Sequence, residues 1–186
     1  MSTPNGPFGF GQPATAEEIA GWDIDVAADG TGLPPGSGTV QQGEELFARL
    51  GAGCHGAKGE GGAAPPLVGG PPLVGGIGSL DTDQPVKTIG SYWPYAPTLF
   101  DYIRRAMPAD NPQSLTADQV YALCAYLLHL NGIVPEDAVM DAQTLPQVVM
   151  PNHAGFTSPD PRPDVFNTAS AHTEDHGMMG TVKARA

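Results

Sequence analysis

The apolar positions of this chain form three helical stripes, which are separated by long stretches rich in glycine and proline. The first stripe begins at Thr39, where Thr39 and Gln42 have the spacing of an N-terminal capping box. Its apolar side chains, at helical spacing, are Leu46, Phe47 and Leu50. The pattern predicts a helix that starts at Thr39 and ends at Gly51.

A second helix is predicted to start near Pro97, because proline is favoured in the first turn of a helix. Its apolar side chains are Leu99, Phe100 and Ile103. Arg104 and Arg105 follow, and their positive charges suit the C-terminal end of a helix. The helix should end at Met107-Pro108, since proline restricts the residue before it.

The third stripe is the longest and has the clearest start and stop. Thr116 and Gln119 form another capping box, and Asn131-Gly132 is typical of a helix end. The residues that repeat every 3.6 positions are Val120, Leu123, Cys124, Leu127 and Leu128. Because Cys124 lies within this stripe, it is interpreted as a buried apolar thiol.

Two extended arms flank these helices, at residues 1–38 and 134–186. Thr15 could begin a short helix in the first arm. The alternation of Trp22, Ile24 and Val26 fits either a short strand or an arm lying on another surface. Apolar residues among prolines, with little local pattern to bury them, favour partner binding by the arms; they are Phe8, Phe10, Trp22 and Phe166.

Charge narrows the choice of partners. The 186 residues include 20 acidic and 8 basic side chains, for a formal net charge of −12, and the isoelectric point is about 4.5. Nucleic acid and anionic membranes would repel such a protein, whereas basic proteins would attract it. No apolar run of about 18 residues is present, and the first residues do not resemble a secretory signal. With two cysteines in different contexts, no disulfide is expected.

Cys54 and His55 follow the first predicted helix directly. The attachment signature of c-type haem is Cys-x-x-Cys-His, in which the histidine binds iron, but here Gly51 stands at the first cysteine position. The class I cytochrome c family has a helical glycine and an aromatic residue eight and four positions before that cysteine. Gly43 and Phe47 match them, so the chain resembles this family.

Two further features carry the resemblance. In the family the first helix crosses the last through a leucine and an aromatic three residues apart, as Leu123 and Tyr126 are. The family also has a Pro-x-Leu-x-Gly loop whose proline carbonyl accepts the proton of the ligand histidine. This chain has two copies of that pattern, starting at Pro65 and Pro71, and the sequence leaves open which copy faces His55.

The resemblance implies a haem c held by a single thioether at Cys54, with iron bound by His55 and by a methionine shortly before the last helix. Met107 is the preferred methionine and Met150 is its competitor. A thioether is a soft neutral ligand that favours ferrous iron. Tyr92, Trp93 and Tyr95 are candidates for the wall of the haem site, and Arg104 or Arg105 for pairing with a propionate; ordinary core packing and a solvated helix end are the alternatives.

A closer resemblance extends over nearly the whole chain, to the cytochrome subunit of the sulfite and sulfane dehydrogenases of the bacterial Sox thiosulfate-oxidation system. The residues that carry it are 11–15, 22–26, 90–108, 131–135 and 150–152. The likeness implies a periplasmic location and a partner subunit with a molybdenum cofactor. It also implies that single electrons pass to a soluble cytochrome.

The sequence therefore predicts an all-α fold, with a class I cytochrome c domain at residues 39–133 between arms at 1–38 and 134–186. The predicted function is that of a non-catalytic electron-transfer subunit, because no arrangement of catalytic residues stands out. Two alternatives remain: a free-standing electron-transfer cytochrome, and a haem-free binding protein that lost attachment with Gly51.

Overall fold

The computed structural model describes residues 11–62 and 69–156, and most of its regular structure is helical. The helices are α1 (Ala16–Trp22), α2 (Val40–Leu50), α3 (Ala52–His55), α4 (Ala96–Ala106) and α5 (Ala117–Leu130), and a short 3-10 helix follows at Leu145–Gln147. Two short strands, β1 (Ser37–Thr39) and β2 (Val139–Asp141), complete the elements. The all-α class is confirmed.

Side-chain caps position the helices as the sequence predicts. The Thr39 hydroxyl accepts a bond from the Gln42 backbone N–H, and the Gln42 side chain accepts one from the Thr39 N–H. Thr116 and Gln119 form the same reciprocal pair at the start of α5. Each box satisfies amide groups that a helix start leaves unpaired. Thr15 likewise caps α1, so Trp22 ends a helix and does not begin a strand.

Helix α5 is the centre of the core. Every residue from Val120 to Leu128 is buried, so this helix is covered on all sides and shows more than the single stripe seen in the sequence. Cys124 is fully buried, and burial raises the pKa of its thiol. It is a core residue, as predicted.

Helices α2 and α5 cross at a glycine. A Cβ atom at Gly43 would overlap the Ala122 carbonyl oxygen, so only glycine permits this close approach. One turn later, the Phe47 and Tyr126 rings pack with their centroids 5.5 Å apart. The predicted crossing is confirmed. Helix α4 packs on the same centre through Phe100, whose ring centroid is 4.5 Å from that of Tyr121.

The core extends beyond the predicted boundaries at residues 39 and 133. Strands β1 and β2 pair antiparallel, with Ser37 opposite Asp141. After β2 begins, Met140, Leu145 and Met150 are all buried in the same core. Strands of three residues and isolated buried apolar residues produce no periodic pattern in the sequence, and the two paired strands are far apart along the chain. These residues were therefore predicted to belong to the arms.

The described residues up to His153 belong to one compact unit, and only residues 154–156 are described of a second one. Phe8, Phe10 and Phe166 lie outside the described residues, as does the first Pro-x-Leu-x-Gly copy up to Val68. Among the helices that are described, none is long and apolar enough to cross a membrane.

Candidate haem-binding site

The Cys54-His55 pair lies on a single helical turn directly after α2. Gly51 ends α2, and its carbonyl oxygen accepts bonds from the backbone N–H groups of Cys54 (3.0 Å) and His55 (2.9 Å). Gly56 follows with φ of 83°, which lets the chain leave the turn at once. The turn leaves Cys54 exposed and His55 half-buried.

The His55 ring has a fixed orientation. Its Nδ1 lies 2.9 Å from the Pro71 carbonyl oxygen. Because a carbonyl oxygen can only accept, Nδ1 carries the proton and Nε2 keeps its lone pair for a metal. The second Pro-x-Leu-x-Gly copy therefore supports His55, which answers the question that the sequence left open.

The loop before Pro71 lies against the histidine ring. A Cβ at Gly70 would overlap the His55 imidazole, so this position requires glycine. The Gly70 N–H donates to the Cys54 carbonyl at 2.7 Å, and its own carbonyl accepts from the Gly62 N–H at 3.1 Å. The attachment turn and the supporting loop thus form one hydrogen-bonded unit.

Asn131 anchors that unit to the core, a role that the sequence did not reveal. Its side-chain Nδ2 donates to the Leu73 carbonyl (3.1 Å) and to the Leu127 carbonyl (2.8 Å). One amide therefore joins the loop after Pro71 to the last turn of α5. In the sequence, Asn131 belonged to a predicted helix end and to the run 131–135 that carries the family resemblance, and neither signal indicated this contact.

The two candidate methionines differ in burial. Met107 ends α4, where its N–H bonds to the Ile103 carbonyl, and its half-buried side chain packs at the edge of the core. Met150 is only 1% exposed and is among the largest fully buried side chains. The core therefore encloses the Met150 sulfur, whereas the Met107 thioether lies at the edge of the core.

The three aromatic candidates lie near the surface. Trp93 is half-buried and meets Tyr102 edge to face, at 5.7 Å between centroids. Tyr92 and Tyr95 are partly exposed. The Lys87 ammonium lies 4.9 Å from the Tyr92 ring centroid.

Two residues of the predicted C-terminal arm bond to the backbone of the segment that contains Tyr92, Trp93 and Tyr95. The sequence did not indicate either contact. The Asn152 amide donates to the Tyr92 carbonyl at 2.9 Å. His153 Nδ1 bonds to the Pro94 carbonyl at 3.1 Å, and its ring meets Tyr95 edge to face. The run Met150-Pro151-Asn152 belonged to the family resemblance, but nothing in it indicated this contact.

The two arginines have different surroundings. Arg105 donates to Asp101 at 2.8 Å and to Asp25 at 2.6 Å, and the bond with Asp101 is the main cause that raises its pKa. Arg105 therefore holds the N-terminal arm on α4. Arg104 is half-buried and lies near Tyr121, which leaves Arg104 as the better propionate candidate.

Known proteins resemble this chain in sequence and in fold. The family model described as cytochrome c matches residues 40–131. A solved structure, the sulfane dehydrogenase SoxCD from Paracoccus pantotrophus, contains a chain that is 41% identical; the match covers 96% of this chain and 84% of that one, with a TM-score of 0.74. No curated protein matches. The chain belongs to the class I c-type cytochromes.

The residues of this cytochrome fit haem c. The His55 imidazole and the exposed thiol on the preceding residue match the histidine and the second cysteine of the Cys-x-x-Cys-His signature, whereas Gly51 stands at the first cysteine position. Of the two cysteines in the chain, Cys124 is enclosed by the core, so only Cys54 can reach a porphyrin. Among the described residues, no cluster of three or more acidic, histidine or cysteine side chains offers another metal site.

Proposed function

We propose that this cytochrome is the electron-transfer haem c subunit of a periplasmic molybdenum-dependent sulfite or sulfane dehydrogenase. It would pass single electrons from the catalytic subunit to a soluble cytochrome and perform no substrate chemistry itself. The observation that carries the proposal is the His55 ring, whose Nδ1 is held by Pro71 while the exposed Cys54 thiol precedes it. Bound haem supplies the iron that accepts and releases one electron at a time.

His55 and Met107 are the proposed iron ligands. The Pro71 carbonyl orients the imidazole and increases its basicity through the Nδ1–H bond. Met107 would serve as the second ligand because it follows the last residue of α4 at the edge of the core, where its flexible thioether is half-buried. A methionine ligand raises the reduction potential by favouring ferrous iron.

The surrounding side chains have supporting roles in this proposal. Trp93, Tyr92 and Tyr95 would wall the group and offer an indole N–H and two hydroxyls to its propionates. Arg104 would neutralise a propionate, since Arg105 is already paired with two carboxylates. The haem domain would be residues 39–133, stabilised by the segment that follows it.

The partner-binding surface is proposed to be α1. Trp22 is 82% exposed and Ile19 is 55% exposed, and no residue of α1 is buried. Glu17 and Glu18 flank these apolar residues. An apolar pair with an acidic rim suits a groove with basic edges on a larger subunit. The relative that is 41% identical comes from the structure of a sulfane dehydrogenase, which supports a molybdenum subunit as that partner.

A visible spectrum of the purified protein, followed by acid-acetone extraction, tests the proposal. A reduced spectrum of c type, with colour that stays in the protein pellet, is expected. A colourless protein from cells that attach haem c to other proteins would refute the proposed function and favour the haem-free alternative. The spectrum tests for the group, and the extraction tests for the covalent bond.

A second candidate, a free-standing electron carrier, is favoured by a different observation. The Tyr121 hydroxyl donates to the Pro34 carbonyl at 2.8 Å, and Val26 N–H donates to Asp101 at 3.1 Å. Parts of the predicted N-terminal arm therefore pack on the helical domain of the same chain. Sedimentation of the protein alone and mixed with the molybdenum subunit separates the candidates, because a carrier that works alone should not co-sediment.

A further inference from the structure

The buried polar side chains of this protein lie around one loop. Apart from the tyrosines of the core, the polar residues that are buried in the described part of the chain are Thr88, Ser91 and Asn131, which are 2%, 4% and 8% exposed. A polar group that is removed from water needs a partner inside the protein. The partners of these three residues therefore indicate what they hold in place.

Two of the three side chains bond to the loop that starts at Pro71. The Asn131 amide donates to the Leu73 carbonyl at 3.1 Å, and the Thr88 hydroxyl donates to the Gly75 carbonyl at 2.6 Å. These carbonyls lie two and four residues after Pro71, whose own carbonyl accepts from Nδ1 of the candidate ligand histidine. Both bonds therefore fix the loop just beyond the residue that orients the imidazole.

Ser91 orients the Thr88 hydroxyl. The Thr88 N–H donates to the Ser91 Oγ at 2.8 Å, and the Ser91 N–H donates to the Thr88 Oγ1 at 3.2 Å. The Ser91 hydroxyl in turn donates to the Val86 carbonyl at 2.6 Å. Because Ser91 uses its own proton for Val86, the Thr88 proton is available for the Gly75 carbonyl.

The Asn131 side chain is enclosed by its neighbours. Its Nδ2 also donates to the Leu127 carbonyl at 2.8 Å, one turn earlier in α5. Its Oδ1 lies against Gly90, where a Cβ atom would be only 2.5 Å away. This buried oxygen has no hydrogen-bond partner among the described residues. The polar contacts of the Asn131 side chain are thus those of its N–H donors, which join the loop to α5.

We propose that Asn131 and Thr88 are positioning residues for the iron ligand His55. By fixing the loop, they hold the Pro71 carbonyl at bonding distance from Nδ1. This proposal rests on the proposed function. A strong Nδ1–H bond makes the imidazole more basic and more electron-donating toward iron, which favours the ferric state. The two residues therefore keep the reduction potential lower than a loosely held loop would.

Thr88→Val and Asn131→Leu test the proposal in the haem-loaded protein. Each substitution nearly keeps the side-chain volume and removes the donor to the loop. Thr144→Val is the matched control, because the Thr144 hydroxyl donates to the Val139 carbonyl at 2.9 Å in the turn after β2. The readouts are the reduction potential and the solvent exchange rate of the His55 Nδ1 proton, measured by NMR of the ferrous protein.

Thr88→Val and Asn131→Leu should each exchange the Nδ1 proton about fivefold faster or more, as the loss of one hydrogen bond predicts, and should raise the potential. Thr144→Val should lower the Tm without changing either quantity. Thr88→Ser keeps a hydroxyl and should restore the parent values. A lowered Tm with unchanged exchange and potential in Thr88→Val and Asn131→Leu would overturn the proposal, because their role would then be structural only.

Hydrogen exchange of the parent keeps the proposal falsifiable if the variants do not fold. The Leu73 N–H donates to the Gly59 carbonyl at 2.8 Å. In a fixed loop, this amide should exchange no more than about 100-fold faster than the amides of α5. Faster exchange would show a loop that opens freely and would overturn the proposal.

The failure of this proposal can be distinguished from the failure of the proposed function. A colourless parent would refute the proposed function. Exchange of the Leu73 amide would still decide whether Thr88 and Asn131 hold the loop, because it can be measured without haem. Equal Leu73 exchange in the parent, Thr88→Val and Asn131→Leu would show that they do not.

Discussion

The segments on either side of the helical domain are both rich in proline but have different roles. Residues 134–153 enter the core, where Met140, Leu145 and Met150 are buried. Residues 11–36 contribute the partly buried Val26 and Leu33 and polar contacts such as that of Asp25 with Arg105, while Trp22 stays exposed. Proline-rich composition therefore does not show whether a segment stabilises its own domain or is left for a partner.

The largest effect should come from Met150→Ala. Truncation of a fully buried methionine should lower the free energy of unfolding by about 2–5 kcal/mol, measured by denaturant titration. The control Val149→Ala should change it by less than about 0.5 kcal/mol, because Val149 is 78% exposed.

Met107→Ala is the matched comparison for Met150→Ala. Loss of Met107 should remove the weak sulfur-to-iron absorption of the ferric protein and lower its reduction potential, because a soft ligand is gone. Met150→Ala should keep that absorption. If instead Met150→Ala removes it and Met107→Ala does not, Met150 is the ligand and the core assignment of its sulfur is wrong.

Trp22→Ala should affect binding but not folding. An exposed tryptophan at the centre of an interface contributes about 2 kcal/mol, or a roughly 30-fold loss of affinity for the molybdenum subunit. Its Tm should stay unchanged, since α1 buries no residue of its own. Val149→Ala, an exposed apolar residue of the other segment, is the binding control. Equal affinities of parent and Trp22→Ala would show that α1 is not the docking surface.

Arg105→Met should have a smaller effect, confined to the N-terminal segment. The Arg105 side chain is 37% exposed and that of Asp25 is 64% exposed, so solvent screens the pair and its contribution is at most about 1 kcal/mol. Amide hydrogen exchange around Val26 should become faster. Arg104→Met should instead change the reduction potential and leave amide hydrogen exchange around Val26 unaltered. If Arg105→Met changes the potential and Arg104→Met changes the hydrogen exchange, the proposed roles of the two arginines are wrong.

Asp141→Asn should have the smallest effect, and one that depends on pH. The carboxylate accepts bonds from the backbone N–H groups of Thr144 and Gln143, which lower its pKa from 3.8. A lowered pKa means that the carboxylate stabilises the fold above pH 3.8, and that this contribution is lost as the pH falls through the folded pKa. The Tm difference from the parent should be about 2 °C at neutral pH and should disappear in that acidic window. A difference independent of pH would contradict this origin.

The helices were predictable because their signals are local. Capping boxes at Thr39 and Thr116 and the stripe of each helix lie within a few residues of one another. His55 and Cys54 were equally accessible, since the attachment motif is contiguous. The β1–β2 pairing was not predictable, because it joins segments far apart in sequence through strands too short for a pattern.

The hydrogen bonds that support the candidate site could not be predicted from the sequence either. Asn131, Asn152 and His153 bond to backbone carbonyls that are distant in sequence. Because every residue has a backbone carbonyl, the sequence does not indicate which residue accepts such a bond. The sequence also could not show whether Pro65 or Pro71 contacts His55, because the two copies of the motif are identical and differ only in their position in the fold.

The pairing of Ser37 with Asp141 has a consequence for the order of events during biosynthesis. The paired residues are 104 positions apart, and closing so long a loop carries an entropic cost that slows its formation relative to local helices. The helical turn that contains Cys54 is closed by backbone bonds between residues three or four positions apart, such as that of the His55 N–H with the Gly51 carbonyl, and it requires no such closure. We therefore expect the Cys54 thiol to be accessible to the maturation enzymes before strands β1 and β2 have paired. The two strands would then pair after the cofactor has been attached.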